Sequence, residues 1–408
     1  MQGRIDVYKF LVMAFGIRSI PSMAGFCMKY TAEKNYPRVA QWIADLLTDS
    51  LYMDDLYASV DTVEDGQELV RDFGRLTLST GFPMAKWNST HPDIMKNVPE
   101  EDRAPSSFSI DDDKECPTPH KALGVTFDFK EDVFSMGRLM EVDEVSQSLP
   151  LTLRKALRTL NSCFDPVGWW CPCLIGLKRC VQEIMIQAST WDEEVPPNLE
   201  KKWIVSYKQL VALQTSEMKI PRQYNCFPAS CYRELHLFAD ASLFAFGACV
   251  YLRATHAHRY HVSLVSGKSR IFHQSKVDKY SIARKELVAL TTGVQLLELV
   301  KKSFKQKISR IFLWSDSTTV IKWCKFLDKQ LQMFVRNRVA TIMKVSNDKP
   351  PLYVNTSENV ADIASRGFSK NNEQEFSKWR KGPTFCGNMK IVGKTVYQNT
   401  LHLRFTMM

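Results

Sequence analysis

The stretch Leu235-His236-Leu237-Phe238-Ala239-Asp240 decides the fold of the second half of this chain, because two leucines alternate there with other side chains before an acid. Such alternation is typical of a β-strand, whose successive side chains point to opposite faces of a sheet. A long amphipathic helix is predicted around 281–303, and another strand runs from Ile311 to Trp314. The order of strands and helices predicts an α/β domain of about 140 residues.

Four acids occupy positions where predicted strands end or predicted helices begin. They are Asp240 after the first strand, Glu286 in the first turns of the long helix, Asp316 after the strand that ends at Ser315, and Asp362 at the start of a short helix. Each acid alone could be a helix N-cap or a solvated chain end. Together they can converge on one side of a sheet and hold two Mg²⁺ or Mn²⁺ ions, roughly 3.5–4 Å apart, for phosphodiester hydrolysis.

A second acidic motif, Tyr52-Met53-Asp54-Asp55, lies between the apolar runs 44–47 and 56–60. This pattern predicts a β-hairpin with the acid pair at its tip. Adjacent carboxylates repel each other, and a divalent cation relieves the repulsion. A solvated acidic turn is the alternative interpretation of an isolated acid pair.

The composition fits a globular protein of two or three domains, with 408 residues and 45% hydrophobic content. The net charge of +10 suits a polyanionic partner, although ordinary basic proteins carry such a charge too. Eleven cysteines follow no repeating frame and the first six residues are polar, so we expect free thiols and a cytoplasmic, intracellular location without a targeting signal. No apolar run approaches the roughly 20 residues that cross a bilayer, so we expect no membrane partner.

Changes of pattern along the chain predict five segments. They are a mixed α/β segment at 1–130 with a loop at 88–119, a mostly helical segment at 131–218, a Pro-bearing linker at 219–231, the α/β domain at 232–372 and a C-terminal tail at 373–408. The expected fold class is therefore multidomain, with α/β and α+β parts.

Short motifs spread over nearly the whole chain resemble the Pol polyprotein of BEL/Pao-type LTR retrotransposons. They occur in the family's order, at 15–21, 52–55, 81–87, 123–125, 164–168, 238–242 with 247–248, 314–317, 334–339 and 358–367. The resemblance implies a truncated reverse-transcriptase palm, a helical thumb and connection region, and an RNase H-like α/β domain. Only fourteen residues precede Phe15, so we expect the fingers and the first catalytic strand to be missing.

The resemblance also implies roles for particular residues. In the polymerase remnant, Asp54 and Asp55 would be catalytic and bind metal, and the nucleic-acid contacts would be Gly16, Tyr52, Lys86 and Trp87. In the RNase H-like domain, the catalytic and metal-binding residues would be Asp240, Glu286, Asp316 and Asp362. One departure is Tyr353, which replaces a His that related sequences carry shortly before the last acid.

Three functional interpretations stay open. The first is an RNA–DNA hybrid ribonuclease, dependent on Mg²⁺ or Mn²⁺, joined to an incomplete RNA-directed DNA polymerase that synthesises no DNA alone. The others are an inactive nucleic-acid-binding remnant and a non-functional gene fragment. The implied partners are an RNA–DNA hybrid or other nucleic acid, with other Pol or Gag products as further candidates. Aspartic peptidase activity is not expected, because the sequence has no Asp-Thr/Ser-Gly loop.

Overall fold

A computed structural model describes most of the chain. The described residues are 16–35, 40–52, 55–79, 81, 83–104, 120–122, 124–128, 131–137, 150–215, 218–225, 227–228, 230–326, 330–368, 372–392 and 395–398. The chain divides into two compact units, Met1–His120 with Phe129–Glu131 and Lys121–Asp128 with Asp132–Met408. The predicted site residue Asp54 lies outside the described residues.

The first unit is mainly helical where it is described. Its elements are α1 (Ile20–Asn35), α2 (Gln41–Ser50), β1 (Leu51–Tyr52), β2 (Asp55–Leu56), α3 (Val63–Ser79), α4 (Pro92–Met95) and a 3₁₀ turn (Glu100–Asp102). Helices α1 to α3 share a small core that includes Met28, Leu47 and Phe73. The predicted loop at 88–119 therefore contains a short helix and a turn, and its residues 105–119 lie outside the described residues.

The hairpin prediction is correct in part. Strand β1 pairs antiparallel with β2, but Tyr52 lies opposite Asp55, so Asp55 belongs to a strand and the prediction that it occupies the tip is wrong. The apolar run 44–47 belongs to helix α2, not to a hairpin arm. The reason is spacing, because the buried residues of α2 fall three and four positions apart and form one helical face.

The remaining described strands follow here in chain order, and three of them form one long antiparallel ladder. They are β3 (His120–Ala122), β4 (Val125–Asp128), β5 (Val133–Ser135), β6 (Ile220–Pro221), β7 (Tyr232–Ala241), β8 (Ala245–His256), β9 (Arg259–Ile271), β10 (Arg310–Ser315), β11 (Leu352–Tyr353), β12 (Met389–Val392) and β13 (Thr395–Gln398). The remaining described helices are α5 (Leu153–Ser162), α6 (Cys171–Gln187), α7 (Pro197–Thr215), α8 (Gln274–Val277), α9 (Ile282–Ser303), α10 (Thr318–Lys325), α11 (Met333–Val345), α12 (Ala361–Arg366), α13 (Asn372–Lys381) and α14 (Thr384–Asn388), with a 3₁₀ turn at Thr356–Glu358. The helices predicted within 150–218, at 281–303 and after 360 are thus present.

The main sheet of the second unit has five strands in the order β11-β10-β7-β8-β9. Strands β7, β8 and β9 follow one another antiparallel, while β10 pairs parallel with β7 and β11 pairs parallel with β10. A register shift in the β8–β9 pair between Val250 and Tyr251 indicates a bulge. The C-terminal ends of β7 and β10 therefore lie side by side.

Both faces of this sheet are covered. Helix α9 packs on one face, where Leu237 and Val250 meet Leu290, and α11 packs against α9 in the same core. Helices α6, α12 and α13 pack on the other, where Phe238 meets Trp379 in a common core. This explains why β7 is buried along nearly its whole length, although its sequence alternates.

The helical segment α5–α7 belongs to the same core as the sheet. The Trp169 indole Nε1 donates to the carbonyl of Val265 on β9 at 2.9 Å, and the Trp170 Nε1 donates to the carbonyl of Met218 at 3.1 Å. Gly168 (φ +81°) passes so close to β9 that an added Cβ would lie 1.8 Å from the Gly267 carbonyl oxygen. The fold of the sheet and the fold of these helices therefore depend on each other.

Two segments differ from their predicted character. The linker 219–231 contains β6, which pairs antiparallel with β5. The tail 373–408 begins with most of α13 and with α14, whose Phe376, Trp379 and Phe385 are buried. Burial of these aromatic rings against the second sheet face explains why this part of the tail is ordered structure. Among the described residues, no helix has both the length and the apolar character of a membrane span.

Candidate metal-binding site

Three of the four acids predicted for the α/β domain meet at one edge of the main sheet. Carboxylate oxygens of Asp240, Glu286 and Asp316 all lie within 4.8 Å of one another. The register of the parallel strands produces this meeting, because Trp314 of β10 lies opposite Phe238 of β7. Two residues further along, Asp316 and Asp240 are therefore level with each other.

Helix α9 brings the third carboxylate. Its N-cap is Ser281, whose side chain accepts from the backbone amide of Arg284, so the helix begins at Ile282, four residues before Glu286. The buried Lys285 donates from Nζ to the Leu243 carbonyl at 2.8 Å and ties this first turn to the β7–β8 connection. Glu286 is thereby fixed over the end of β7.

The electrostatics of the cluster favour a cation. Burial, with the charges of Asp240 and Asp316, raises the pKa of Glu286 to about 9. Burial, together with the charges of Asp316 and Asp362, raises the pKa of Asp240 to about 6. The Glu286 Oε2 atom is buried and has no hydrogen-bond partner. Crowded oxygens, one of them unsatisfied, fit a hard divalent cation such as Mg²⁺ or Mn²⁺.

Asp362 lies close to this cluster but outside the group of three. Its charge acts on Asp240, and its Oδ1 atom lies 2.5 Å from Nε of Arg366, one helical turn further along α12. The contact is an ion pair and not an aligned hydrogen bond, since Oδ1 meets no hydrogen-bond geometry. The structure therefore brings together three of the four predicted carboxylates and pairs the fourth with an arginine.

Ser365 is a site residue that the sequence interpretation missed. Its Oγ donates to Oδ2 of Asp240 at 2.5 Å, and its side chain is buried. It lies three residues after Asp362 on α12, so the same helical face carries both side chains, and this spacing is the signal that could have revealed it.

The close approach of α12 to the sheet depends on a glycine in β8. A Cβ on Gly247 would lie 2.4 Å from the Cβ of Ala364, well inside van der Waals contact. Two hydrogen bonds hold the helix there, from Asn359 Nδ2 to the Ala239 carbonyl at 3.1 Å and from Ser269 Oγ to the Ala364 carbonyl at 2.6 Å. The position of Ser365 beside Asp240 is thus set by packing.

The predicted site residues of the first unit are mostly at the surface. Asp55 is exposed and accepts from the Tyr57 hydroxyl at 3.2 Å, and Tyr52 is also exposed. Gly16 and Lys86 are exposed with positive φ angles of 87° and 59°. The ring of Trp87 is half-buried and packs edge-on against Phe73 at 6.1 Å. Their roles in nucleic-acid binding stay predictions.

The stabilisation of the protein by Mg²⁺ is expected to grow as the pH rises from about 6 to about 8.5, because protons compete with metal for Asp240 and Glu286. Both pKa values are raised on folding, so the metal-free native state holds extra protons and its free energy of unfolding falls as the pH rises through this window. Thermal denaturation with and without Mg²⁺ at several pH values measures the difference. In Glu286→Gln the stabilisation by Mg²⁺ should depend less on pH. If Mg²⁺ stabilised the unmodified protein equally at every pH, the prediction would be contradicted.

The sheet order and the acids at its edge define the RNase H-like class of fold. Residues 152–317 match the family model described as the Pao retrotransposon-like RNaseH-like domain. This part of the chain is therefore similar to the Pao retrotransposon-like RNaseH-like domain, which confirms the resemblance found in the sequence for residues 152–317. The matched range includes Asp240, Glu286 and Asp316.

Solved structures with partial similarity to the chain come from viral and cellular proteins. A foamy viral protease–reverse transcriptase in complex with double-stranded DNA has 15% identity and a TM-score of 0.46 over 78% of this chain, which spans 48% of the viral chain. RNase H1 from Halobacterium salinarum has 11% identity and a TM-score of 0.20 over 32% of this chain and 90% of its own. LC11-RNase H1 in complex with an RNA/DNA hybrid has 10% identity and a TM-score of 0.20 over 32% and 91%. No curated protein matches the chain.

Proposed function

We propose that the second unit is a divalent-metal-dependent ribonuclease that cuts the RNA strand of RNA–DNA hybrids. The observation that carries this proposal is the carboxylate cluster at the end of β7 and β10, in which the Glu286 carboxylate has one buried oxygen, Oε2, without a hydrogen-bond partner. The family match over 152–317 supports the same assignment. The test is cleavage of a strand-labelled hybrid by the full chain in Mg²⁺ and then in Mn²⁺.

The acids and Ser365 would have different parts in the reaction. Asp240, Glu286 and Asp316 would hold the metal, and Ser365 would orient Asp240 by donating to one of its oxygens. A cation held there would supply Lewis acidity, which would lower the pKa of a water molecule and neutralise charge on the phosphate. Asp316 is more exposed than the other two acids, so it would face the substrate. The excess of basic residues over the whole chain would favour approach of the polyanion.

The first unit is proposed as part of an incomplete polymerase of the reverse-transcriptase type. Its supporting observation is the short antiparallel pair of β1 and β2, which presents Tyr52 and Asp55 at the surface. On this proposal the unit corresponds to a palm remnant, and α5–α7 correspond to a thumb and connection region. Asp54 would be the second carboxylate of the motif.

Replacing Tyr353 by His is expected to raise the rate of hybrid cleavage several-fold. Tyr353 pairs with Ser315 in the parallel β10–β11 ladder, next to Asp316, and its ring is exposed. Imidazole exchanges protons near neutral pH, whereas a phenol with a pKa near 10 is a poor proton carrier there. The measurement is the single-turnover rate from pH 6 to pH 8. Tyr353→Phe is the matched control, and an equal gain in that variant would contradict a proton-transfer role.

A further inference from the structure

Helix α12 places a cation next to the fourth acid of the site. Arg366 lies one turn after Asp362, and the distance of 2.5 Å from its Nε to Oδ1 makes a close ion pair. The two residues occupy the same helical face as Ser365, which bonds to Asp240. The guanidinium is therefore attached to the helix that also positions a carboxylate of the three-acid cluster.

The positive charge of Arg366 acts beyond its ion-pair partner. It partly opposes the rise in the pKa of Asp240 and of Glu286, in keeping with a guanidinium near the cluster. Among the described residues, Asp362 is the predicted ligand that is absent from the three-acid group. A cation shared by Asp240 and Asp362 would therefore have to bind where the positive guanidinium of Arg366 now contacts Asp362.

We propose that Arg366 is a built-in competitor for a second divalent cation at Asp362. The three acids of the cluster bind the first cation, and the second binds between Asp240 and Asp362 only after the guanidinium has moved away. This inference rests on the proposed metal-dependent nuclease function. It adds a reason why the two cations should bind with unequal affinity.

The ion pair is suited to reversible displacement. The Arg366 side chain is 63% exposed and the Asp362 side chain 34% exposed, so water can solvate the guanidinium once it is released. Exposed ion pairs of this spacing are individually weak, and a divalent ion at a carboxylate replaces one positive charge by two. Arg366 therefore weakens the second cation site without closing it.

The experiment is a titration of the full chain with Mn²⁺. Binding is measured by electron paramagnetic resonance of the free ion and, separately, by calorimetry. In Arg366→Gln the second binding event should be about tenfold tighter than in the unmodified protein, because a nearby positive charge is lost. The first event should change by less than about threefold, since its three ligands are intact. Arg366→Lys keeps the charge and should resemble the unmodified protein.

Two further variants isolate the mechanism. Arg259→Gln also removes an exposed positive charge, but far from the site. Ser269 of β9 is level with Asp240, because both pair with Gly247. Arg259 lies ten residues away from Ser269 along β9, a distance of roughly 33 Å. This control should leave both binding events unchanged. Asp362→Asn should itself weaken or abolish the second event, and adding Arg366→Gln in that background should not tighten or restore it.

Equal second-site affinity in Arg366→Gln and the unmodified protein would overturn the proposal, as would an effect that persists in the Asp362→Asn background. Hybrid cleavage measured in parallel separates this inference from the proposed function. If the unmodified protein cleaves the hybrid but Arg366→Gln leaves the second-site affinity for Mn²⁺ unchanged, only the competitor role is refuted. Two Mn²⁺ sites with the expected Arg366 dependence but no cleavage would refute the ribonuclease function alone.

Discussion

The Asp316→Asn variant should lose Mg²⁺-dependent cleavage of an RNA–DNA hybrid by at least about a thousandfold. Asparagine keeps the shape of the side chain and removes one negative ligand charge from the three-acid cluster. Asp316 is the best acid to replace because it follows β10 and is only half-buried, whereas Asp240 is buried and bonded to Ser365. The expected defect is therefore in metal binding and not in folding.

Hybrid binding by Asp316→Asn should be largely retained and should weaken with salt, since phosphate contacts release counterions. The measurement is single-turnover cleavage together with binding in Mg²⁺ at several salt concentrations. Asp278→Asn is the matched control, because Asp278 is exposed and lies outside the acid cluster. Cleavage at the unmodified rate by Asp316→Asn would remove the proposed role of the cluster.

Replacing Trp379 by Ala is expected to lower the free energy of unfolding of the second unit by about 3–5 kcal/mol. Trp379 is fully buried, its Nε1 donates to the Trp169 carbonyl at 2.7 Å, and its own carbonyl accepts from the Tyr251 hydroxyl. The variant leaves a cavity where α13 joins the helical segment to the sheet. It also leaves the Trp169 carbonyl without its donor.

Urea denaturation followed by far-ultraviolet circular dichroism measures this loss without depending on tryptophan fluorescence. Trp191→Ala is the matched control, because Trp191 is 54% exposed and its removal should cost less than about 1 kcal/mol. If Trp379→Ala also lowered the free energy of unfolding by less than about 1 kcal/mol, α13 would contribute little to the fold. Such a result would restore the prediction that 373–408 is a tail.

The strongest sequence patterns predicted the main elements of the second unit. The alternation that ends at Asp240 corresponds to β7, and the leucine spacing around 281–303 corresponds to α9. Acids at strand ends and in the first turns of helices selected Asp240, Glu286 and Asp316, which meet, and also Asp362, which lies outside the group of three. Their meeting follows from parallel pairing of β7 with β10, since parallel neighbours end at the same sheet edge.

Tertiary contacts decided the parts that the sequence did not predict. Whether the tail is ordered depends on the sheet face that covers Trp379 and Phe385, and local pattern carries no information about that partner. The arm before the acidic hairpin has apolar residues that suit a strand or a helix, and packing on Phe73 selects the helix α2. Ser365 contacts Asp240 across 125 positions of sequence, so its spacing from Asp362 could suggest the residue, but only the folded chain shows the contact.

The most direct test of the proposed function is incubation of the full chain with a hybrid labelled separately on its RNA and DNA strands, in Mg²⁺ and in Mn²⁺. The proposal predicts internal cuts in the RNA strand only, none without metal and none in Asp316→Asn. Hybrid binding by the folded protein with no cleavage in either metal would contradict it and favour an inactive binding remnant. Neither binding nor cleavage by a folded chain would contradict it too, and would favour a non-functional fragment.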